Sequence, residues 1–165
     1  MKGSAAATIA RAERRVVTAE TLLSAEPARV FEILCNPWRH VELDGSQMLQ
    51  GKPSGPARLQ LGSEFTMAMR QSRWRYRSTN RVVEFEEGRL IAWASMGVWR
   101  GRPVIGGQRW RWLLTPAPSA THVSHSYVWG YAALPMLTVW LPGYPARAQI
   151  TMPHSLEYLR AIVER

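Results

Sequence analysis

The sequence is poor in the residues that build covalent or metal-bound frameworks. It holds one cysteine, Cys35, among 165 residues. A single thiol cannot close an intramolecular disulfide or assemble a cysteine metal cluster. A reducing, cytoplasmic setting is therefore expected. Aspartate is nearly absent too, with Asp44 alone, so a Ser-His-Asp triad would have to use that residue or substitute a glutamate. No Walker loop, no GxGxxG and no G-x-S-x-G elbow occurs, which removes the usual signals for nucleotide binding and serine hydrolysis. The longest apolar stretch, Tyr131 to Pro142, is interrupted by Pro135 and is too short to cross a bilayer. Residues 1–15 start with Lys2, but Arg11, Arg14 and Arg15 stand where a signal peptide needs its apolar region. They are expected to form a disordered tail ahead of one domain over residues 16–165.

What is present points to a globular chain. Apolar residues make up 46% and charged residues 20%, a composition that can bury a core. Eight tryptophans exceed what a compact core of this size needs, so some are expected to line a cavity. The formal net charge is +9, and 19 of the 21 basic residues are arginine. Arginine-rich, lysine-poor usage accompanies GC-rich coding as well as polyanion binding, and net charge speaks to partners rather than to fold.

The order of elements is legible from periodicity. Residues 16–23 (VVTAETLL) read as a first strand. Ser24, Glu26 and Pro27 form a helix start before Val30, Phe31 and Leu34, and Pro37 ends that helix or begins a second short one. Glycines and prolines from Asp44 to Gly62 predict turns, with room for a short strand at Gln47–Gln50. After Gly62 the period becomes two, through Phe65–Arg70, Arg73–Arg77, Arg81–Phe85, Leu90–Met96, Arg109–Leu114 and His122–Trp129. Gly106-Gly107 predicts a break between strands. Short turns between such strands mean an antiparallel meander. Met152, Leu156, Leu159 and Val163 then mark one stripe of a terminal helix, with an earlier turn at Ala146–Ile150 kinked at Pro153. The fold class is α+β: six to seven antiparallel strands, two short helices after the first strand, and a long C-terminal helix.

Several stretches carry a family resemblance: AEPARVFEILCNPWRHVELDGS (25–46), LGSEFTMAMR (61–70), NRVVEFEEGRLIAW (80–93), RWRWLL (109–114) and THVSHSYVW (121–129) before the last helix. With this layout the chain resembles the START-like superfamily, also called SRPBCC or polyketide cyclase/dehydrase-like, over residues 16–165. The resemblance implies a helix-grip fold with a cavity between the sheet and the terminal helix. It does not imply one activity, because function resides in the site rather than the fold.

Strand parity then names candidate residues. Trp74 and Tyr76 share one face and Arg73, Arg75 and Arg77 the other; Trp110 and Trp112 likewise oppose Arg109 and Arg111. An aromatic face turned inward forms either a filled core or a cavity wall. Phe65, Met67, Met69, Tyr76, Asn80, Trp93, Trp110, Trp112 and Tyr127 are the expected ligand-binding residues. His122 and His125 lie three apart on a strand and cannot chelate one metal, so no metal and no cofactor is expected. His125 shares parity with Val123, Tyr127 and Trp129. It is either satisfied by a backbone group or serves as a polar anchor or proton carrier in the pocket.

The expected partner is a small apolar ligand, a lipid or a polyketide-like aromatic. A cyclase or dehydratase using His125, Tyr76, Tyr127 and Asn80 is the alternative; no carboxylate has clear inward parity. Specific nucleic-acid binding is not expected, because parity separates aromatics from arginines, whereas stacking plus phosphate neutralisation needs both on one surface. Residues 58–111 hold eleven arginines against four glutamates, so an interaction domain using a basic sheet face, including contact with an anionic membrane, stays open. The oligomeric state is not encoded in any of these signals.

Overall fold

The computed structural model describes residues 14–99 and 102–165 of the chain. Strand β1 (Val16–Leu23) is followed by helix α1 (Pro27–Cys35), a 3-10 turn (Pro37–Arg39) and the single-turn helix α2 (His40–Leu43). Six strands come next: β2 (Leu49–Ser54), β3 (Glu64–Gln71), β4 (Trp74–Glu86), β5 (Leu90–Trp99), β6 (Arg102–Ala117) and β7 (Ala120–Val128). A π-helical turn (Met136–Trp140) leads into helix α3 (Tyr144–Val163). Among the described residues the strands form one antiparallel sheet in the order β1-β7-β6-β5-β4-β3-β2. The meander is closed on one side by β1, which pairs with β7 from Val16↔Val128 to Leu23↔Thr121. No described helix is long and apolar enough to cross a membrane.

Local chemistry explains most boundaries. Pro27 begins α1, where its missing N–H costs nothing. Asn36 ends α1 and caps the next turn by accepting from the Trp38 N–H at 3.0 Å. The α1 face of Val30, Phe31, Ile33 and Leu34 is buried against Phe85, Leu114, Leu156, Leu159 and Val163 in one continuous core. Thr121 locks β7 to the α1 entry by donating to the Ala25 carbonyl at 2.6 Å.

Three sequence expectations are corrected. Helix α3 starts at Tyr144 rather than Met152, because Pro145 occupies its first turn, and Gly143 adopts φ 79° before it. Pro153 therefore lies inside the helix and leaves the Gln149 carbonyl without its usual donor. Gly106-Gly107 does not end a strand: β6 runs through it, with a register shift opposite Ala94/Met96 and φ 101° at Gly107. β2 runs later than expected, over Leu49–Ser54. The expected tail at residues 1–15 falls outside the described residues except for Arg14 and Arg15, and Arg15 is tied down, its carbonyl accepting from the Trp129 N–H at 2.9 Å.

Candidate functional site

The inward face of the sheet does not fill its own space. Between it and α3 lies a cavity of about 650 Å³, within the range of small-molecule sites. All ten residues singled out from the sequence (Phe65, Met67, Met69, Tyr76, Asn80, Trp93, Trp110, Trp112, His125 and Tyr127) line it. The register explains why. Trp93 pairs with Trp110, and Trp110 with Tyr127. Phe65 pairs with Asn80, and Asn80 with Ser95. Trp112 pairs with His125. Inward side chains thus align in rows across neighbouring strands. Arg109 and Arg111 point away and meet Glu84 outside, at 3.9 and 3.0 Å. Arg75 departs from this pattern: at the hairpin tip it is exposed yet reaches the cavity mouth.

Two polar clusters sit in the wall, and they differ. Asn80 is internally satisfied. Its Oδ1 accepts from the Ser95 hydroxyl at 2.6 Å and the Ser78 hydroxyl at 3.4 Å, while Nδ2 donates to the Ser78 carbonyl at 3.2 Å. His125 is not bonded to a backbone group, one of the two possibilities read from the sequence. It is 4% exposed and stacks on Trp112, which is 3% exposed, with ring centroids 3.5 Å apart and planes 10° apart. Neither His125 Nδ1 nor Trp112 Nε1 has a hydrogen-bond partner in the protein. Burial costs a polar atom its water contacts, so such groups are normally paired.

The buried titratable groups of the wall are uncharged. Desolvation pushes the His125 imidazole down to about 3, so it is uncharged at neutral pH. Burial raises the Tyr76 phenol to about 12 and raises Tyr127 further still. Both stay protonated.

Sequence reasoning missed several wall residues. His40 is buried, donates from Nε2 to the Leu34 carbonyl at 2.8 Å and stacks on Trp93 at 4.9 Å. Burial holds its imidazole down near 4, against the opposing backbone bond. Ser78 and Ser95 share parity with Asn80 and Trp93, the signal that could have found them. Asp44 also borders the cavity, so one carboxylate does lie close to it. That carboxylate is engaged in its own turn, accepting from the Ser46 and Leu49 N–H groups at 3.0 and 2.7 Å. Tyr144, Arg147, Ala148, Met152 and Ser155 close the site from α3. Among the described residues no group of three metal-ligating side chains comes together.

No family model matches the chain. Protein Rv0088 of Mycobacterium tuberculosis, itself uncharacterized, is 34% identical over 106 residues, which are 64% of this chain and 43% of that protein. The match thus spans less than half the length of that curated relative. Protein CV1439 of Chromobacterium violaceum shares 18% identity with a TM-score of 0.67, covering 92% of this chain and 99% of that one. A protein of Arthrobacter aurescens gives a TM-score of 0.70 at 13% identity, covering 93% and 88%. DynU16, from the dynemicin biosynthetic locus, gives 0.62 at 15% identity, covering 91% of this chain and 47% of its own. These structures share the fold.

Proposed function

We propose that residues 16–165 form a START-like (SRPBCC) binding domain whose cavity takes a small, mostly apolar ligand carrying at least one hydrogen-bonding group. The observation that carries this reading is the wall itself: an aromatic-lined cavity in which buried Trp112 Nε1 and His125 Nδ1 have no protein partner. Aromatic and methionine side chains supply apolar contact. These two groups, with the likewise unpaired Gln108 Oε1 of the same wall, supply orientation, since a ligand hydroxyl offers each what the protein does not.

The alternative, a cyclase or dehydratase with His125 as proton carrier, is less well supported. An imidazole held near 3 is a poor base at neutral pH, where catalysis favours a group titrating close to the working pH. Tyr76 and Tyr127 are held protonated, and the Asp44 carboxylate is occupied.

The test is binding of an environment-sensitive apolar fluorophore. A submillimolar dissociation constant, about 4 kcal/mol or better, is expected, and Trp112→Ala should weaken it by removing wall area. His125→Phe should leave apolar affinity intact. Absence of binding would refute the carrier reading. Turnover of a polyketone that His125→Phe abolishes, in a protein that still binds the probe, would establish the enzyme instead.

A further inference from the structure

Two surface elements frame the cavity mouth. One is the β3–β4 hairpin tip, which contributes Gln71, Ser72, Trp74 and Arg75. The other is the Met136–Trp140 turn and the start of α3, which contribute Val139, Tyr144 and Arg147. The elements abut, the Tyr144 hydroxyl donating to Gln71 Oε1 at 3.2 Å. Val139 is buried and faces the cavity. Its neighbours face outward: Leu137 is 61% and Trp140 55% exposed, with Leu134, Met136 and Leu141 also exposed. Across the mouth Trp74 is 71% exposed. One rim therefore shows several large apolar side chains to solvent, more than scattered surface residues account for.

The two rim segments carry charge of one sign; the Asp44 carboxylate, which also borders the cavity, lies outside both. Residues 65–83 and 131–150 contain no aspartate or glutamate. Arg70, Arg73, Arg75, Arg77 and Arg147 are exposed. Among the described residues none of them forms an ion pair, whereas Arg39, Arg58, Arg89, Arg109, Arg111 and Arg160 do.

We infer that the mouth is a docking surface for an anionic lipid bilayer. Leu137, Trp140 and Leu141 enter the boundary between headgroups and acyl chains, with Trp74 at the opposite rim. The arginines meet lipid phosphates. Amphipathic insertion and basic side chains are the two forces that hold peripheral proteins on anionic membranes. Tryptophan is suited to that boundary because its ring is apolar and its N–H is wet. A second copy of this chain fits less well, because a two-fold contact would set the same arginines against each other. Nucleic acid gives the exposed leucines nothing to contact. Docking here would also place the cavity mouth on the phase in which an apolar ligand dissolves. That last point rests on the ligand-binding reading; the docking does not.

The test is flotation with phosphatidylcholine vesicles, with and without about one third phosphatidylglycerol. Binding should favour the anionic vesicles at least about tenfold and weaken with salt. Leu137→Glu with Trp140→Glu should abolish it, and Arg70→Gln with Arg73→Gln and Arg77→Gln should weaken it. None of these five residues lines the cavity, so thermal unfolding and apolar-probe binding should stay unchanged. If the double glutamate variant fails to fold, serine at both positions gives the same readout. Failure to float with anionic vesicles overturns the inference, as does flotation that the apolar substitutions leave intact. Self-association or capture of an acidic protein, lost in the double variant without any vesicle binding, assigns the surface to that partner instead. Vesicle binding by a protein that binds no apolar probe upholds the docking and refutes only the carrier reading.

Discussion

The two buried histidines make acid stability the most informative single measurement. His40 and His125 are held near 4 and 3 by burial, against an ordinary value of 6.5. In the unfolded chain both protonate as the pH falls through the ordinary value, while in the folded chain they stay neutral. The unfolded state therefore binds more protons, and stability rises with pH across that window. It should be fully present above the ordinary histidine value and decline as the pH drops toward the folded values. Between about pH 7 and pH 5 each group should cost about 2 kcal/mol, or about 4 kcal/mol for the pair. Carboxylates titrate mostly below this range, so it isolates the histidines. Denaturant unfolding at a series of pH values measures the slope directly. His125→Phe should halve that slope. It should also cost little at neutral pH, because the phenyl ring keeps the stack on Trp112 and removes an unpaired buried nitrogen, itself a penalty of about 1–3 kcal/mol. A stability that is flat from neutral to mildly acid pH would refute the assignment of two neutral buried imidazoles. So would a His125→Phe variant with the parental slope.

Two further outcomes test the packing that shapes the cavity. Leu159 is fully buried where α3 meets α1 and the sheet, so Leu159→Ala should lower unfolding stability by about 2–5 kcal/mol; no loss would contradict the packing of α3. Gly45 lies so close to α3 that a Cβ would stand 2.2 Å from the Thr151 carbonyl oxygen. Gly45→Ala should therefore push the loop off the helix and lower the thermal midpoint, and an unchanged midpoint would show that this approach is not held in solution.

The sequence by itself determined the faces of the elements. Alternation along Phe65–Met69, Trp74–Asn80 and Trp110–Trp112 sets inward against outward, because a strand has a period of two whatever surrounds it. Proline at the first turn of α1 is likewise local. The tertiary structure decided the rest. Phe85 reaches the core only because the register shifts between Val82 and Glu84, and no local pattern announces such a bulge. Trp112 and His125 lie 13 residues apart in sequence, and only the β6–β7 pairing stacks them. Their lack of partners depends on every neighbour at once. Ser78 and Ser95 carry no hydrophobic signal, and His40 sits in a single-turn helix too short for periodicity to speak. Whether the aromatic face becomes a filled core or a cavity depends on how far α3 stands from the sheet. That distance is fixed by long-range packing on both sides of the helix, which no window of the sequence contains.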